Sequence, residues 1–156
     1  VELWVVRAFA ATGALESYYA MAGGKLIRLS QQQLLDCASN GMWGSYGCDG
    51  GYTQYAFAYA NVYPIMLERD YPYDNRVNDK CNFVLSKGVV QAKDHWTVPK
   101  QSINQLKAAL MLGPVTVSVQ APLRFLRPFK VLVLSIVLPV APRRAMQCWR
   151  SGLALI

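Results

Sequence analysis

The sequence has few charged residues and few cysteines, and each shortage excludes a class of protein. Charged residues make up only 16% of the 156 residues, against 53% hydrophobic residues. This balance excludes an intrinsically disordered chain. Four cysteines are too few for a small disulfide-stapled scaffold, and their spacing matches no metal-binding pattern. We therefore predict a folded domain with no metal and no cofactor.

Acidic residues are missing from the last part of the chain. Residues 122–156 contain six Lys or Arg and no Asp or Glu, whereas residues 1–121 contain ten Lys or Arg and nine Asp or Glu. The net charge of +7 is therefore concentrated in this tail. Because the preceding part is almost neutral, we expect no nucleic-acid partner.

Long hydrophobic runs are also missing. The longest nearly apolar stretch, residues 131–141, is interrupted by Ser135 and Pro139 and is too short to cross a bilayer as a helix. Residues 1–7 lack the basic, apolar and small-residue order of a secretory signal. We expect neither a membrane span nor a signal peptide in this chain.

Three helices are predicted in the first part of the chain. Residues 9–22 are rich in Ala, Leu and Tyr and end at a Gly-Gly pair, which is typical of a helix stop. Ser30 followed by Gln33 has the spacing of a capping box and predicts a short helix through residue 37. An aromatic and Ala-rich stretch, residues 52–63, predicts a third helix.

A helix and a strand are predicted further along. Ser102 and Gln105 repeat the capping spacing before a helix that ends at Leu112, and residues 115–120 alternate as a half-buried strand does. Residues 68–100 have the composition of a loop. Helices followed by strands indicate an α+β protein.

Five short motifs in residues 8–121 point to one family. They are AFAATGALE at 8–16, LSQQQLLDC at 29–37, GCDGGY at 47–52, YPY at 71–73 and GPV at 113–115. In this order and spacing they resemble the papain-type cysteine proteases, the cathepsin L-like group especially. The resemblance implies a papain-like α+β fold. Residues 1–97 would form its helical half and residues 98–121 the start of its β-barrel half, whereas the tail, residues 122–156, does not match.

The resemblance implies a cysteine endopeptidase, which needs a thiolate and an imidazole that activates it. The run of that family before the first helix is CGSCWAF, and its second Cys is the nucleophile. The aligned residues here read LWVVRAF, so Val6 stands at the nucleophile position. Residues 96–156 contain no histidine, and we interpret the single histidine, His95, as a solvated loop residue. We therefore predict that the chain as written is inactive.

The resemblance also assigns substrate-binding residues. Two glycines would line the cleft for an extended peptide, and two further residues would lie in the main specificity pocket. These are Gly50 and Gly51 for the cleft, and Tyr52 and Ser118 for the pocket. Alternatively, the glycines serve only a tight turn and Tyr52 is a core aromatic residue of the third helix.

The resemblance pairs Cys37 with Cys81 in a disulfide bond; the alternative is two isolated buried thiols. Cys48 would pair with a cysteine at position 3, where this chain has Leu3. The family further implies a peptide or protein substrate, a monomer, and a lysosomal or secreted location. The alternative function is a catalytically dead, papain-like peptide-binding protein. A third alternative, a membrane-surface tail, lacks an amphipathic period in residues 122–156.

A slip of the reading frame at each end would explain both departures from the family. When the codons of residues 145–156 are regrouped by one base with permitted third bases, they read HAMLAVGLGTD, similar to the HAVLAVGYGT of the family after its catalytic histidine. Residues 2–6 regroup to Ser-Cys-Gly-Ser, which resembles the approach to the nucleophile. The rival hypothesis is true divergence of both ends.

Overall fold

The computed structural model describes residues 3–38, 53–119 and 153–155. These residues form an α+β arrangement of four α-helices and two short antiparallel sheets. The helices are α1 (Leu3–Met21), α2 (Gln31–Cys37), α3 (Thr53–Val62) and α4 (Ile103–Leu112), and the strands are β1 (Ile65–Met66), β2 (Gly88–Val90), β3 (Val117–Val119) and β4 (Leu153–Leu155).

Helix α1 lies at the centre of the core and packs against α2 and α3. Its small residues Ala8 and Ala11 are fully buried, which lets the neighbouring helices approach closely. The helix begins at Leu3 rather than at residue 9 as predicted. It ends as predicted, because Gly23 adopts a φ of 93° that residues with a Cβ rarely adopt, and its N–H donates to the Ala20 carbonyl.

Helix α2 begins at the predicted N-cap. The Ser30 hydroxyl accepts a hydrogen bond from the Gln33 amide at 2.9 Å, as the capping spacing predicts. The reciprocal half of the capping box is not formed, because the Ser30 amide donates to the Met66 carbonyl instead. Every residue of α2 is buried, polar residues included.

The prediction of a loop throughout residues 68–100 is wrong over residues 85–90, where a short 3-10 helix (Leu85–Lys87) leads into β2. Strand β2 pairs with β1, with Ile65 opposite Val90 and Met66 opposite Gly88. The two strands have only two and three residues, too few for a visible alternation of polar and apolar residues. The sheet lies where Ile65 and Met66 are buried in the core against the helices, and no local sequence pattern indicates it.

Helix α4 and strand β3 follow in the predicted order. Ser102 is the N-cap of α4 but its side chain makes no capping hydrogen bond, and no residue of α4 is buried. Strand β3 begins at Val117 rather than at residue 115 as predicted. Residue 120 lies outside the described residues. It pairs antiparallel with β4 from the tail, with Val117 opposite Leu155. Strand β4 also contacts α1.

Candidate active site

The candidate nucleophile position lies near the start of α1. Val6 belongs to this helix, which begins at Leu3. The positive end of a helix dipole lowers the pKa of a thiol and thereby favours a thiolate. A valine has no ionisable group and no lone pair, so it cannot use this environment for attack on a carbonyl carbon.

The structure places His95 against the end of α3, and it is half-buried rather than solvated. Its ring stacks on Phe57 with ring centroids 6.2 Å apart, and its Nδ1 lies 3.1 Å from Asn61 Nδ2. The segment before His95 lies against α3, where the Ala92 amide donates a hydrogen bond to the Ala60 carbonyl. The imidazole therefore makes a structural contact with α3, which the loop interpretation missed.

Of the four residues assigned to the substrate cleft and pocket, one lies in the described part of the chain. Gly50, Gly51 and Tyr52 lie outside the described residues. Ser118 lies in the middle of β3, opposite Ala154 in β4. The assignment of these four residues to the cleft and pocket stays a prediction.

A group of four buried or half-buried polar residues, which we call the α2 clamp, holds the chain after β1 against α2. The clamp consists of Gln32, Asp36, Tyr71 and Asn78. The Asp36 carboxylate accepts hydrogen bonds from Gln32 Nε2 at 2.8 Å and from the Tyr71 hydroxyl at 2.7 Å. It also accepts from the Asn78 amide at 2.8 Å and from Asn78 Nδ2 at 3.1 Å.

Gln32 extends the α2 clamp along the same segment. Its Nε2 donates to the Arg76 carbonyl at 2.7 Å, and its Oε1 accepts from the Asp74 amide at 3.1 Å. The side chains of Gln32 and Asp36 lie four residues apart on one face of α2. That spacing is the sequence signal for a polar face on α2, but it does not reveal which residues bind that face, so the clamp was not predicted.

Tyr71 connects the α2 clamp to the residue after Cys81. Its hydroxyl donates to Asp36 and accepts from the Asn82 amide at 3.1 Å. Burial, together with the nearby Asp36 carboxylate, raises the pKa of Tyr71 to about 12. The hydroxyl therefore keeps its proton at neutral pH and donates to Asp36.

The last residue of α2 carries a disulfide bond. Cys37 is bonded to Cys81, 44 positions further along the chain. Cys37 is only 5% exposed, whereas Cys81 is exposed. The bond joins α2 to the same segment that the α2 clamp holds.

Glu16 is a buried carboxylate on α1. Its Oε1 accepts a hydrogen bond of 2.7 Å from the Leu29 amide, just before α2. Burial raises the pKa of Glu16, the nearby Glu68 raises it further, and the bond from Leu29 and the nearby Arg28 act in the opposite direction. Burial is the largest of these effects, so the folded protein holds a proton on Glu16 more tightly than the unfolded chain does.

We expect Glu16→Gln to remove a pH dependence of stability. A raised pKa means that stability from this group is full at low pH and falls as pH rises from the unfolded pKa through the folded one. The glutamine still accepts from Leu29 and carries no charge. The variant should gain at most about 1 kcal/mol at neutral pH, since the Leu29 bond already offsets part of the burial cost. Urea denaturation between about pH 4 and pH 7 measures this.

Asp79→Asn is the matched control, because Asp79 is exposed. It should leave the slope of stability against pH unchanged. A Glu16→Gln variant with the same slope as the parent would show that Glu16 is ionised in the fold without cost.

The described residues contain no group of three or more His, Cys, Asp or Glu side chains that could hold a metal ion. None of the helices in these ranges is both long enough and apolar enough to cross a bilayer.

Solved structures identify the class of fold. A digestive procathepsin L 3 of Tenebrio molitor superposes with a TM-score of 0.65 at 36% identity, over 75% of this chain and 37% of that one. A cysteine protease of Carica candamarcensis superposes with a TM-score of 0.67 at 29% identity, over 79% of this chain and 56% of that one. The described residues thus have a papain-like fold and correspond to its helical half with few strands.

The sequence gives the same answer at the level of the family. Residues 6–134 match the family described as papain family cysteine protease. The chain therefore belongs to the papain family of cysteine proteases.

Two curated relatives carry the names of proteases. Cysteine proteinase 3 of Dictyostelium discoideum is 39% identical over 116 residues, which are 72% of this chain and 33% of that protein. A cathepsin L-like peptidase of Aedes aegypti is 38% identical over 115 residues, again 72% of this chain and 33% of that protein. The chain spans about a third of the length of these relatives.

Proposed function

We propose that this chain derives from a papain-type cysteine endopeptidase of the cathepsin L-like group, and that with its present residues it does not cleave peptide bonds. The observation that carries the proposal is Val6 at the nucleophile position, in a chain that otherwise belongs to the family. The proposed substrate is a peptide or protein held in an extended form.

The chemistry of peptide hydrolysis supports the inactive part of the proposal. The thiolate attacks the carbonyl carbon, and an imidazole accepts the thiol proton and later donates it to the leaving amine. Val6 cannot supply the first group. No histidine after residue 95 could supply the imidazole. His95 itself contacts Asn61 and Phe57 of α3.

The division of the chain and the state of its ends belong to the same proposal. Residues 1–97 would be the helical half, residues 98–121 the start of the β half, and residues 122–156 an out-of-frame tail. The family match extends to residue 134 and so overlaps the first part of this tail, which speaks against a boundary as early as residue 121. The start of α4 at Ile103, with β3 after it, supports the first boundary. Sequencing of the genomic DNA across codons 1–8 and 121–156 tests the slip, because an intact frame that encodes Val6 would establish divergence instead.

The proposed setting is a monomer in a lysosomal or secreted location. The Cys37–Cys81 disulfide supports an oxidising compartment, since structural disulfides are rare in the cytosol. A tagged full-length protein with its natural leader, localised by microscopy, would test the compartment, and light scattering would test the monomer.

We expect the 156-residue chain to show no thiol-dependent turnover of a Phe-Arg fluorogenic peptide. The reason is the loss of both the nucleophile and its base, which act as one unit. The assay compares the rate with the buffer blank, with and without an epoxide inhibitor of thiol proteases. Inhibitor-sensitive turnover above the blank would contradict the proposal.

The same preparation separates the enzyme from the peptide-binding alternative. A fluorescent derivative of the same peptide, followed by anisotropy, reports binding without cleavage. Saturable binding by the unmodified chain, with an intact genomic frame, would favour a catalytically dead peptide-binding protein.

A further inference from the structure

The last carbonyls of helix α3 find hydrogen-bond partners in residues 91–95. The final carbonyls of any α-helix have no partner within the helix itself. Here the Ala92 amide donates to the Ala60 carbonyl at 3.0 Å, and Gln91 Nε2 donates to the Asn61 carbonyl at 2.8 Å. Segment 91–95 therefore supplies bonds that complete the end of α3.

His95 adds a side-chain contact to this end of α3, and the polarity of that contact depends on one proton. Its Nδ1 lies 3.1 Å from Asn61 Nδ2, and its ring stacks on Phe57. An amide nitrogen only donates, so it can bond to Nδ1 only while Nδ1 has no proton. An imidazolium carries a proton on both ring nitrogens and would place one donor against another.

The oxygen of the same Asn61 amide makes no use of its hydrogen-bonding capacity. Within the part of the chain that the structure describes, Asn61 Oδ1 is buried and has no hydrogen-bond partner. A half-turn of the amide about its last side-chain bond exchanges the oxygen and the nitrogen, which brings an acceptor to face Nδ1. The turn removes the partner of the NH₂ group. A hydrogen bond from an ionised donor is stronger than one between neutral groups, which offsets that loss.

No charged group on α3 competes for the imidazole. The helix contains no Asp, Glu, Lys, Arg or His, and its titratable side chains are Tyr55 and Tyr59. On the segment itself Lys93 and Asp94 are exposed, and the Asp94 carboxylate accepts from the His95 backbone amide at 2.8 Å. None of the ion pairs among the described residues includes His95. The Asn61 amide is therefore the polar side chain that contacts the ring.

We propose that Asn61 is a two-position partner of His95, which keeps segment 91–95 on α3 whether or not the imidazole is protonated. With a neutral imidazole, Asn61 Nδ2 donates to Nδ1 and the ring proton is on Nε2. When Nδ1 takes up a proton from solvent, the amide turns and Nδ1 donates to Asn61 Oδ1. The inference does not depend on peptidase activity, since neither residue stands at a position assigned to the nucleophile, the cleft or the pocket.

Nuclear magnetic resonance of the 156-residue chain tests the turn directly. The chain contains one histidine, so a label of ¹⁵N-histidine reports on His95 alone. At about pH 8 we expect an unprotonated Nδ1 and a scalar coupling across the hydrogen bond between Nδ1 and Asn61 Nδ2. At about pH 5, below the ordinary pKa of an imidazole, Nδ1 should carry a proton and this coupling should be lost.

Hydrogen exchange of the Ala92 amide measures whether the segment stays on α3. After correction for the chemical exchange rate at each pH, its protection in the parent chain should be the same in both conditions. Asn61→Leu cannot bond to His95 in either form, and it should lower the protection about fivefold in both, as expected for one ordinary hydrogen bond. Asn61→Asp presents oxygen atoms only, so its His95 should carry a proton on Nδ1 even at about pH 8.

Two results in the parent chain would overturn the proposal. If the protection of Ala92 falls about fivefold between the neutral and the protonated imidazole, the contact breaks on protonation and the amide does not turn. If Nδ1 already carries a proton at about pH 8, the Asn61 oxygen faces the ring in both states and there is a single position.

Discussion

Restoration of the family sequence at both ends of the chain should give a thiol-dependent peptidase. Restoration of that sequence at one end alone should not. A nucleophile without its base is poorly ionised, and a base without a nucleophile has nothing to activate. In subtilisin, loss of the catalytic residues costs about a millionfold in rate, and single losses cost nearly as much as the combined loss. A change of this size between the singly and doubly repaired chains is what we expect.

The repaired protein needs a set of defined changes. The first end carries Leu3→Cys, Trp4→Gly, Val5→Ser, Val6→Cys and Arg7→Trp. The second end replaces the tail by its reframed sequence, extended to the natural stop codon, and a propeptide is supplied to assist folding. Restoration of position 3 also gives Cys48 its expected disulfide partner.

The matched control is the same doubly repaired chain with Val6→Ser in place of Val6→Cys. It should fold equally and lack activity toward the Phe-Arg peptide. If the doubly repaired chain folds, forms its disulfides by mass spectrometry and still has no inhibitor-sensitive activity, then the ends are not frame slips and the chain is a diverged binding protein.

Asp36→Ala should cause one of the largest losses of stability available in the described residues. Asp36 is 2% exposed and accepts four hydrogen bonds, from Gln32, Tyr71 and both nitrogens of Asn78. The alanine would remove the acceptor of the Tyr71 hydroxyl and of the Asn78 backbone amide. The Gln32 and Asn78 side-chain nitrogens would keep their bonds to the Arg76 carbonyl and to Asp74. Each buried donor that loses its acceptor costs about 1–3 kcal/mol, so for two such donors we expect a loss of about 2–6 kcal/mol.

Urea denaturation at neutral pH measures this loss. Asp36→Asn should cause an intermediate loss of stability. The oxygen of the asparagine still accepts hydrogen bonds, whereas its NH₂ group replaces an acceptor and points at donors. Asp79→Ala, at an exposed carboxylate on the same segment, should change stability by no more than about 0.5 kcal/mol. A loss for Asp36→Ala as small as that for Asp79→Ala would show that the α2 clamp does not stabilise the fold.

Helix ends were the features best predicted by sequence reasoning, because the interactions that stop or start a helix are local. Ser30 caps α2 through a residue three positions away, and Gly23 ends α1 through a backbone conformation that depends on its own lack of a Cβ. The start of α1 was predicted too late, since no capping residue precedes Leu3 to mark it.

The sequence by itself determined the family, the order of the helices, and the absence of a nucleophile at residue 6, because each is a matter of residue identity at a known spacing. Only the tertiary structure decided that α2 is wholly buried and that His95 rests on α3. It also decided that Asp36 binds Tyr71 and Asn78 and that β1 pairs with β2. These contacts join residues more than twenty positions apart. Which buried polar group finds which partner therefore depends on how the chain returns to the core, and no local pattern records that return.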